Sequence, residues 1–345
     1  MSAVVWSQTA YDQARMHQQQ LTKPAGSLGR LEDLACWLAG CQQRAVPHPL
    51  QPVATLFAAD HGVANEGVSA FPQVVTGEMV KNFAAGGAAI NVLAQQHQVR
   101  LTVVDVGVAG DLSSLGDAIV HAKVTAGSGN IACQPAMDVA ELEQALAVGR
   151  AQADEAIDAG ANLLIAGEMG IANTTPAAAL LCALLAADPE DLVGRGTGID
   201  DQALQHKRAV VAQALRRIDY EAMTPEEVLR QLGGLEIAAI CGFLMQGARR
   251  SVPALIDGFI VTAAALVAER MEPGVSPWWQ ASHRSQELGH HAALAALGLT
   301  PLLDMGMRLG EGSGALLALP LLQSAVALHA DMATFGSAGV STEGG

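Results

Sequence analysis

Short apolar runs set between long helical patterns constrain this chain more than any other feature. Runs of a few residues stand at Val53–Ala58, Leu101–Val106, Leu163–Ala166, Ala254–Asp257 and Leu302–Asp304, with weaker ones at 119–124 and 277–281. Between them, apolar residues recur with helical spacing over 28–44, 74–96, 138–158, 174–187, 200–217, 225–231, 235–248, 258–270, 286–297 and 314–329. One helix start is signposted: Thr224 as cap, Pro225 at the first position and Glu227 at the third. Alternation of this kind predicts an α/β fold, a mostly parallel sheet with helices on both faces. The first 50 residues and the last 35 or so carry no strand signal. They predict a small helical domain, 1–50 with 310–345, beside a large α/β domain over 51–309.

Composition fits that architecture and excludes others. Half of the 345 residues are hydrophobic and only 3% aromatic, so the core must be built from Ala, Leu, Val and Ile. A net charge of −15 argues against nucleic acid as a partner, because phosphate backbones need clustered cations. Five cysteines without CxxC spacing read as free thiols of a reducing compartment. The N-terminus turns polar too early for a secretory signal, and no run of 18 apolar residues offers a membrane span. The expectation is a cytoplasmic protein.

In open α/β sheets, ligands bind beyond the carboxyl ends of the strands, and the chemically interesting residues follow those ends. Asp60-His61-Gly62 follows the first run, Gly167-Glu168-Met169-Gly170 another, and Asp257-Gly258 and Asp304-Met305-Gly306 two more. The segment Met305 to Ala315 puts one carboxylate, Glu311, among Gly310, Gly312 and Gly314 just before a helix. A carboxylate there acts as a general base or binds a substrate N–H, or it merely favours a helix N-terminus. Asn173, Thr174 and Thr175 are cap types ahead of Pro176, and free N–H groups at such a start hold phosphate or carboxylate. Gly194, Gly196 and Gly198 form a second glycine-rich loop, with Lys207 in the following helix to counter an anion. Phe71 to Met79 lies where an apolar pocket wall would be, although Phe and Met are more often core.

Other chemistries lack support. A dinucleotide-binding oxidoreductase needs GxGxxG after the first strand, and the chain reads Asp60-His61-Gly62 instead. His61, His283, His290 and His291 match no metal-ligand spacing, so no metal is expected. No GxSxG elbow is present. Binding plus one carboxylate base is what remains, against a non-catalytic nucleotide-binding module that would keep the glycine loops and dispense with Glu311.

Eight collinear segments carry a resemblance. LTKPAGSLGRLE (21–32), ADHGVANEGVSAFP (59–72), GGAAINVLA (86–94), GEMGIANTTPAAA (167–179), GRGTGIDD (194–201), PALIDGF (253–259), SHRSQELGH (282–290) and LLDMGMRLGEGSGA (302–315) together resemble the nicotinate-nucleotide–dimethylbenzimidazole phosphoribosyltransferase family. The resemblance implies a Rossmann-like large domain, a small helical domain from both termini, and a homodimer. It implies transfer of phosphoribose from nicotinate mononucleotide to 5,6-dimethylbenzimidazole, giving α-ribazole 5′-phosphate and nicotinate for the nucleotide loop of cobalamin. No cofactor is implied. Glu311 matches the general base. Glu168 matches a second acid with a positioning or electrostatic role. Gly170, Asn173, Thr174, Thr175, Gly194, Gly196, Gly198 and Lys207 match the nucleotide's phosphate and ribose region, and Asp257, Ser285, Phe71 and Leu309 join the substrate-binding set. Glu78 falls where many relatives are expected to carry Gln, in the benzimidazole pocket wall. A carboxylate there predicts tolerance for bases with an extra donor. A phosphoribosyltransferase for another lower-ligand base, adenine or a phenol, would keep the same fold and Glu311.

Overall fold

A computed structural model describes residues 6–341. Its centre is one six-stranded sheet, all parallel: β1 (Pro52–Ala59), β2 (Arg100–Gly107), β3 (Val120–His121), β4 (Leu163–Met169), β5 (Ala254–Ile256) and β6 (Trp279–Ala281). The spatial order is β3-β2-β1-β4-β5-β6. The chain leaves β1 toward one edge and resumes at β4 toward the other, so a crevice opens at their carboxyl ends. β1 is buried from its second residue to its last, the continuous apolar run expected of a strand covered on both faces.

The helices follow in chain order. Those before the fourth strand are α1 (Gln8–Gln18), α2 (Arg30–Gln42), α3 (Val75–Ala84), α4 (Ala89–Gln96) and α5 (Val139–Asp158). Between the fourth and fifth strands come α6 (Thr174–Leu185), α7 (Pro189–Leu192), α8 (Asp201–Arg216), α9 (Pro225–Leu232) and α10 (Leu235–Arg249). The last four are α11 (Phe259–Met271), α12 (His290–Leu297), α13 (Ser313–Asp331) and α14 (Phe335–Ala338).

Alternation along β4 shows how the two faces are used. Leu164 packs toward Gly247 of α10, while Gly167, an odd number of residues later, lies against the backbone of Glu311 and Gly312 at the start of α13. α10 therefore covers one face and α13 begins on the other. Gly167 is obligatory, because a Cβ there would sit 2.0 Å from the Glu311 carbonyl oxygen. α5 lies on α10 so closely that a Cβ on Gly149 would meet the Ala239 carbonyl oxygen at 1.7 Å, and one on Gly242 the Leu146 carbonyl oxygen at 2.2 Å.

Helices from the two ends of the chain meet. α2 packs on both α1 and α13, Leu21 bridges Thr334, and buried His329 of α13 joins Gln18 of α1 to the Ala45 carbonyl. α13 is long and apolar enough to cross a membrane, yet more than half of it is buried inside the fold.

Several expected boundaries move. The run at Leu302–Asp304 forms no strand; a single bridge, His283 to Leu303, takes its place, because Pro301 and Gly306 leave too few residues for a ladder. The helical pattern over 74–96 divides at Gly86-Gly87, where Gly86 takes φ +81°. The candidate strand at 119–124 shortens to Val120–His121. Gly336 to Ala338 continue α14, with Thr334 capping it, and residues 342–345 lie outside the described residues.

Candidate functional site

At the carboxyl ends of β1 and β4 an open cavity of about 410 Å³ collects residues from six segments. Glu168, Met169, Gly170, Ile171 and Asn173 come from the end of β4 and the turn after it. Phe71, Val75 and Met79 come from the segment after β1, and Gly258, Phe259 and Ile260 from the turn after β5. His283, Ser285 and Glu287 follow β6, and Arg308 to Glu311 lead into α13. Thr174, Gly196 and Thr197 complete one end. One side is thus apolar and suits a flat ring. The end near Asn173, Thr174, Gly196 and Arg308 is polar, with a helix N-terminus and a guanidinium, and suits an anion. Phe71 and Leu309 are 53% and 58% exposed and sit at the mouth.

Glu311 is the most constrained of these residues. It holds φ +66° between Gly310 at +86° and Gly312 at +93°, three left-handed residues in succession. A non-glycine residue there carries roughly 1–2 kcal/mol of strain. Its side chain is buried, lines the cavity, and one carboxyl oxygen, Oε2, has no hydrogen-bond partner. Burial pushes its pKa up, the Ile90 N–H at the start of α4 pulls it down, and the charge of Asp257 adds to the rise.

Glu168 stands beside it. The Asn173 side-chain amide and the Glu311 backbone N–H both donate to its carboxylate. Complete burial nonetheless pushes its pKa up to about 8. The close approach of Gly310 requires glycine, since a Cβ would lie 2.2 Å from Glu168 Oε1.

Lys207 lies behind the glycine-rich loop and does not line the cavity. Its ammonium donates to Thr174 Oγ1 at 2.7 Å and to the Gly194 carbonyl at 3.2 Å. Desolvation pushes its pKa down to about 8 against the pull of Glu287. Gly196, at φ +52°, is what lets the loop close over this pair: a Cβ would meet Thr174 Oγ1 at 2.7 Å and Lys207 Nζ at 3.1 Å. Gly194 and Gly198 shape the same loop from outside the cavity wall, and Arg308 ties it to the Glu311 segment by donating to the Gly196 carbonyl at 3.0 Å.

Three more expected contacts fall off the wall. Asp257 is fully buried below the cavity and accepts from Gly312 N–H at 3.1 Å and Ala315 N–H at 2.9 Å. Thr175 is buried in the first turn of α6, also off the wall. Glu78 corrects the sequence reading outright. α3 turns Val75 and Met79 to the cavity, and Glu78, about 100° around the helix from Met79, is exposed on a separate cleft with Gln73, Lys81 and Asp111. The expectation failed because neighbours in a helical sequence face different ways.

The residues left open at strand ends also resolve. Asp60 accepts from the Ala109 N–H, and His61 is paired with Glu236 at 2.6 Å, both away from the cavity wall. His283 does line it, with Ser282 Oγ on its Nδ1 at 3.0 Å. His290 serves as a brace: its Nδ1 accepts from the Ser285 N–H, which leaves Nε2 to donate to Thr262. Arg308 and Glu287 escaped sequence reasoning although both lie inside quoted segments. Nothing in their spacing separates them from surface charges.

A family model described as phosphoribosyltransferase matches residues 5–340. The chain is 60% identical over 333 residues to a nicotinate-nucleotide–dimethylbenzimidazole phosphoribosyltransferase of Chromobacterium violaceum, covering 96% of each. It is 53% identical over 330 residues to the protein of that name from Mycobacterium tuberculosis, covering 95% of this chain and 91% of the relative. The crystal structure of CobT from Thermus thermophilus superposes with a TM-score of 0.93 at 49% identity, over 96% of this chain and 99% of that one.

Proposed function

The chain belongs to the nicotinate-nucleotide–dimethylbenzimidazole phosphoribosyltransferase family, and from that premise we propose how its own residues carry the reaction. The enzyme transfers the phosphoribosyl group of nicotinate mononucleotide to 5,6-dimethylbenzimidazole, for the nucleotide of cobalamin.

In our reading the benzimidazole lies against Val75, Met79, Phe259 and Ile260, and its unprotonated nitrogen attacks the anomeric carbon. The nicotinate nitrogen departs from the opposite face with the bonding pair, already a neutral leaving group because the pyridinium was cationic. The configuration inverts from β to α, and no acid is required. As the new bond forms, the other ring nitrogen loses its proton to Glu311. The observation that carries this is the Glu311 carboxyl itself: buried, on a residue of the cavity wall, with Oε2 lacking the donor that a ring N–H would supply. Glu168, beside the same wall, stabilises positive charge while it is ionised. The first turn of α6 and the Gly194–Gly198 loop hold the phosphate, with Lys207 bracing that loop from behind and adding positive charge there, while Ser285 and Leu309 border the ring. Holding two rings in register supplies much of the rate.

The family resemblance and the fold support three further readings. The helical segments 1–50 and 310–345 form a small domain beside 51–309. The protein works in the cytoplasm. It functions as a homodimer, for which the exposed apolar residues Phe71, Val74, Met305 and Leu309 offer surface.

The decisive experiment supplies nicotinate mononucleotide and dimethylbenzimidazole to the wild type and Glu311→Ala, with the anomer read by NMR. An α-riboside whose formation depends on Glu311 supports the assignment. Equal rates with both proteins would remove Glu311 from the mechanism.

A further inference from the structure

α13 begins without a cap of its own. Its N-cap is Gly312, which has no side chain to accept from the free N–H groups of the first turn. Two of those groups are satisfied from another element. Asp257, one residue beyond β5, accepts from Gly312 N–H through Oδ2 at 3.1 Å and from Ala315 N–H through Oδ1 at 2.9 Å. The two bonds grip both sides of the turn that follows Glu311. On the preceding side Glu168 accepts the Glu311 N–H, and Ser313 Oγ donates to the Gly310 carbonyl at 2.7 Å. The left-handed run is therefore held at consecutive N–H groups by two buried carboxylates.

We propose that Asp257 is a positioning residue for Glu311: from the end of β5 it caps α13 and so fixes the strained Gly310–Glu311–Gly312 backbone that turns the Glu311 carboxyl to the cavity. The inference rests on Glu311 being the base. Physically, three successive left-handed residues relax unless surrounding bonds over-determine them. Relaxation of φ at Glu311 would swing its side chain off the wall, and displacement of a reacting group by about 1 Å can cost roughly 10²-fold. Asp257 itself is 0% exposed and does not line the cavity, so it acts through the backbone, not on substrate.

The same residue sets part of the field at the base. The charged groups around Glu311 are Glu168 from β4, Asp257 after β5, His283 and Glu287 after β6, and Arg308 on its own segment. α3 presents only Val75 and Met79, α4 contributes the Ile90 N–H, and Lys207 stands behind the glycine loop. Removing the Asp257 charge removes one of the influences that raise Glu311. The acid limb of kcat against pH must then move to lower pH.

The test compares wild type, Glu311→Gln and Asp257→Asn. Asn keeps the size and one acceptor but turns an N–H donor toward one of the two backbone N–H groups. Asp257→Asn is expected to lower kcat roughly 10- to 100-fold, to leave KM for nicotinate mononucleotide within about twofold, and to shift the acid limb downward. A purely structural role would lower the amount of active enzyme and leave the pH profile of the remainder unchanged. Should Asp257→Asn not fold, by circular dichroism and thermal melting, Asp257→Ser keeps one acceptor, whose single O–H can rotate away from the backbone N–H groups, and carries the same expectation. Wild-type kcat and an unmoved acid limb in the folded variant would overturn the proposal. Full activity in Glu311→Gln would instead sink the base assignment, whatever Asp257 does.

Discussion

Each titratable residue of the site makes its own pH statement. Glu311 works as a base only when ionised, and burial raises its pKa. Activity should therefore fall on acidification through a value above the ordinary carboxylate range, and Glu311→Gln should lose roughly 10²–10⁴-fold in kcat. Glu168 differs in consequence. It titrates near 8 in the fold and near 4.5 when free, so the folded state binds the extra proton between those values. Its contribution to stability is then lost as pH rises from about 5 to about 8. Glu168→Gln removes that dependence: its melting temperature should decline less over this range than that of the wild type, even as activity drops. Lys207, pushed to about 8 by desolvation, is charged below that value. KM for nicotinate mononucleotide should rise as pH climbs above it, and Lys207→Met should raise KM roughly tenfold or more. Glu78→Gln should leave the preference among dimethylbenzimidazole, adenine and phenols unchanged in competition assays, because Glu78 is off the cavity wall.

At the scale of elements, close packing replaces bulk. With aromatics at 3% of the chain, the layers approach through glycine and alanine. The α5–α10 crossing is the clearest case, and Gly149→Ala tests it. A methyl 1.7 Å from a carbonyl oxygen forces the helices apart. The expected loss is about 1–3 kcal/mol, visible as a lower melting temperature with unchanged KM for both substrates. Elements were unevenly legible. β1 and β4 stood out because strands buried on both faces must be continuously apolar. α1 went unassigned, being polar over most of its surface, with only Ala10, Ala14 and Gln18 buried. The apolar run near the end of the chain, Leu302–Asp304, had the composition of a strand but only one paired position.

For the whole molecule, the homodimer reading predicts a sedimenting mass near twice the 35.5 kDa of one chain. It also predicts that Phe71→Ser with Leu309→Ser, which removes two exposed apolar side chains at the cavity mouth, weakens association measured by sedimentation.

What the sequence determined by itself follows from local rules. Periodicity dictated the parallel sheet, and the segments after the strands, with Glu168 and Glu311 among their glycines, pointed to the site, because backbone that approaches a ligand closely needs glycine wherever it falls. Tertiary structure alone decided which of those residues meet. Asp257 looked like a ligand contact and became a helix cap, since its partners, Gly312 and Ala315, are more than fifty positions away in the chain. Glu78 turned outward by the rotation of one helical residue, and Lys207 settled behind Gly196 instead of in the cavity. Spacing along a chain specifies conformation, but the side a residue presents depends on how the elements dock, and docking is settled only when all their surfaces are packed at once.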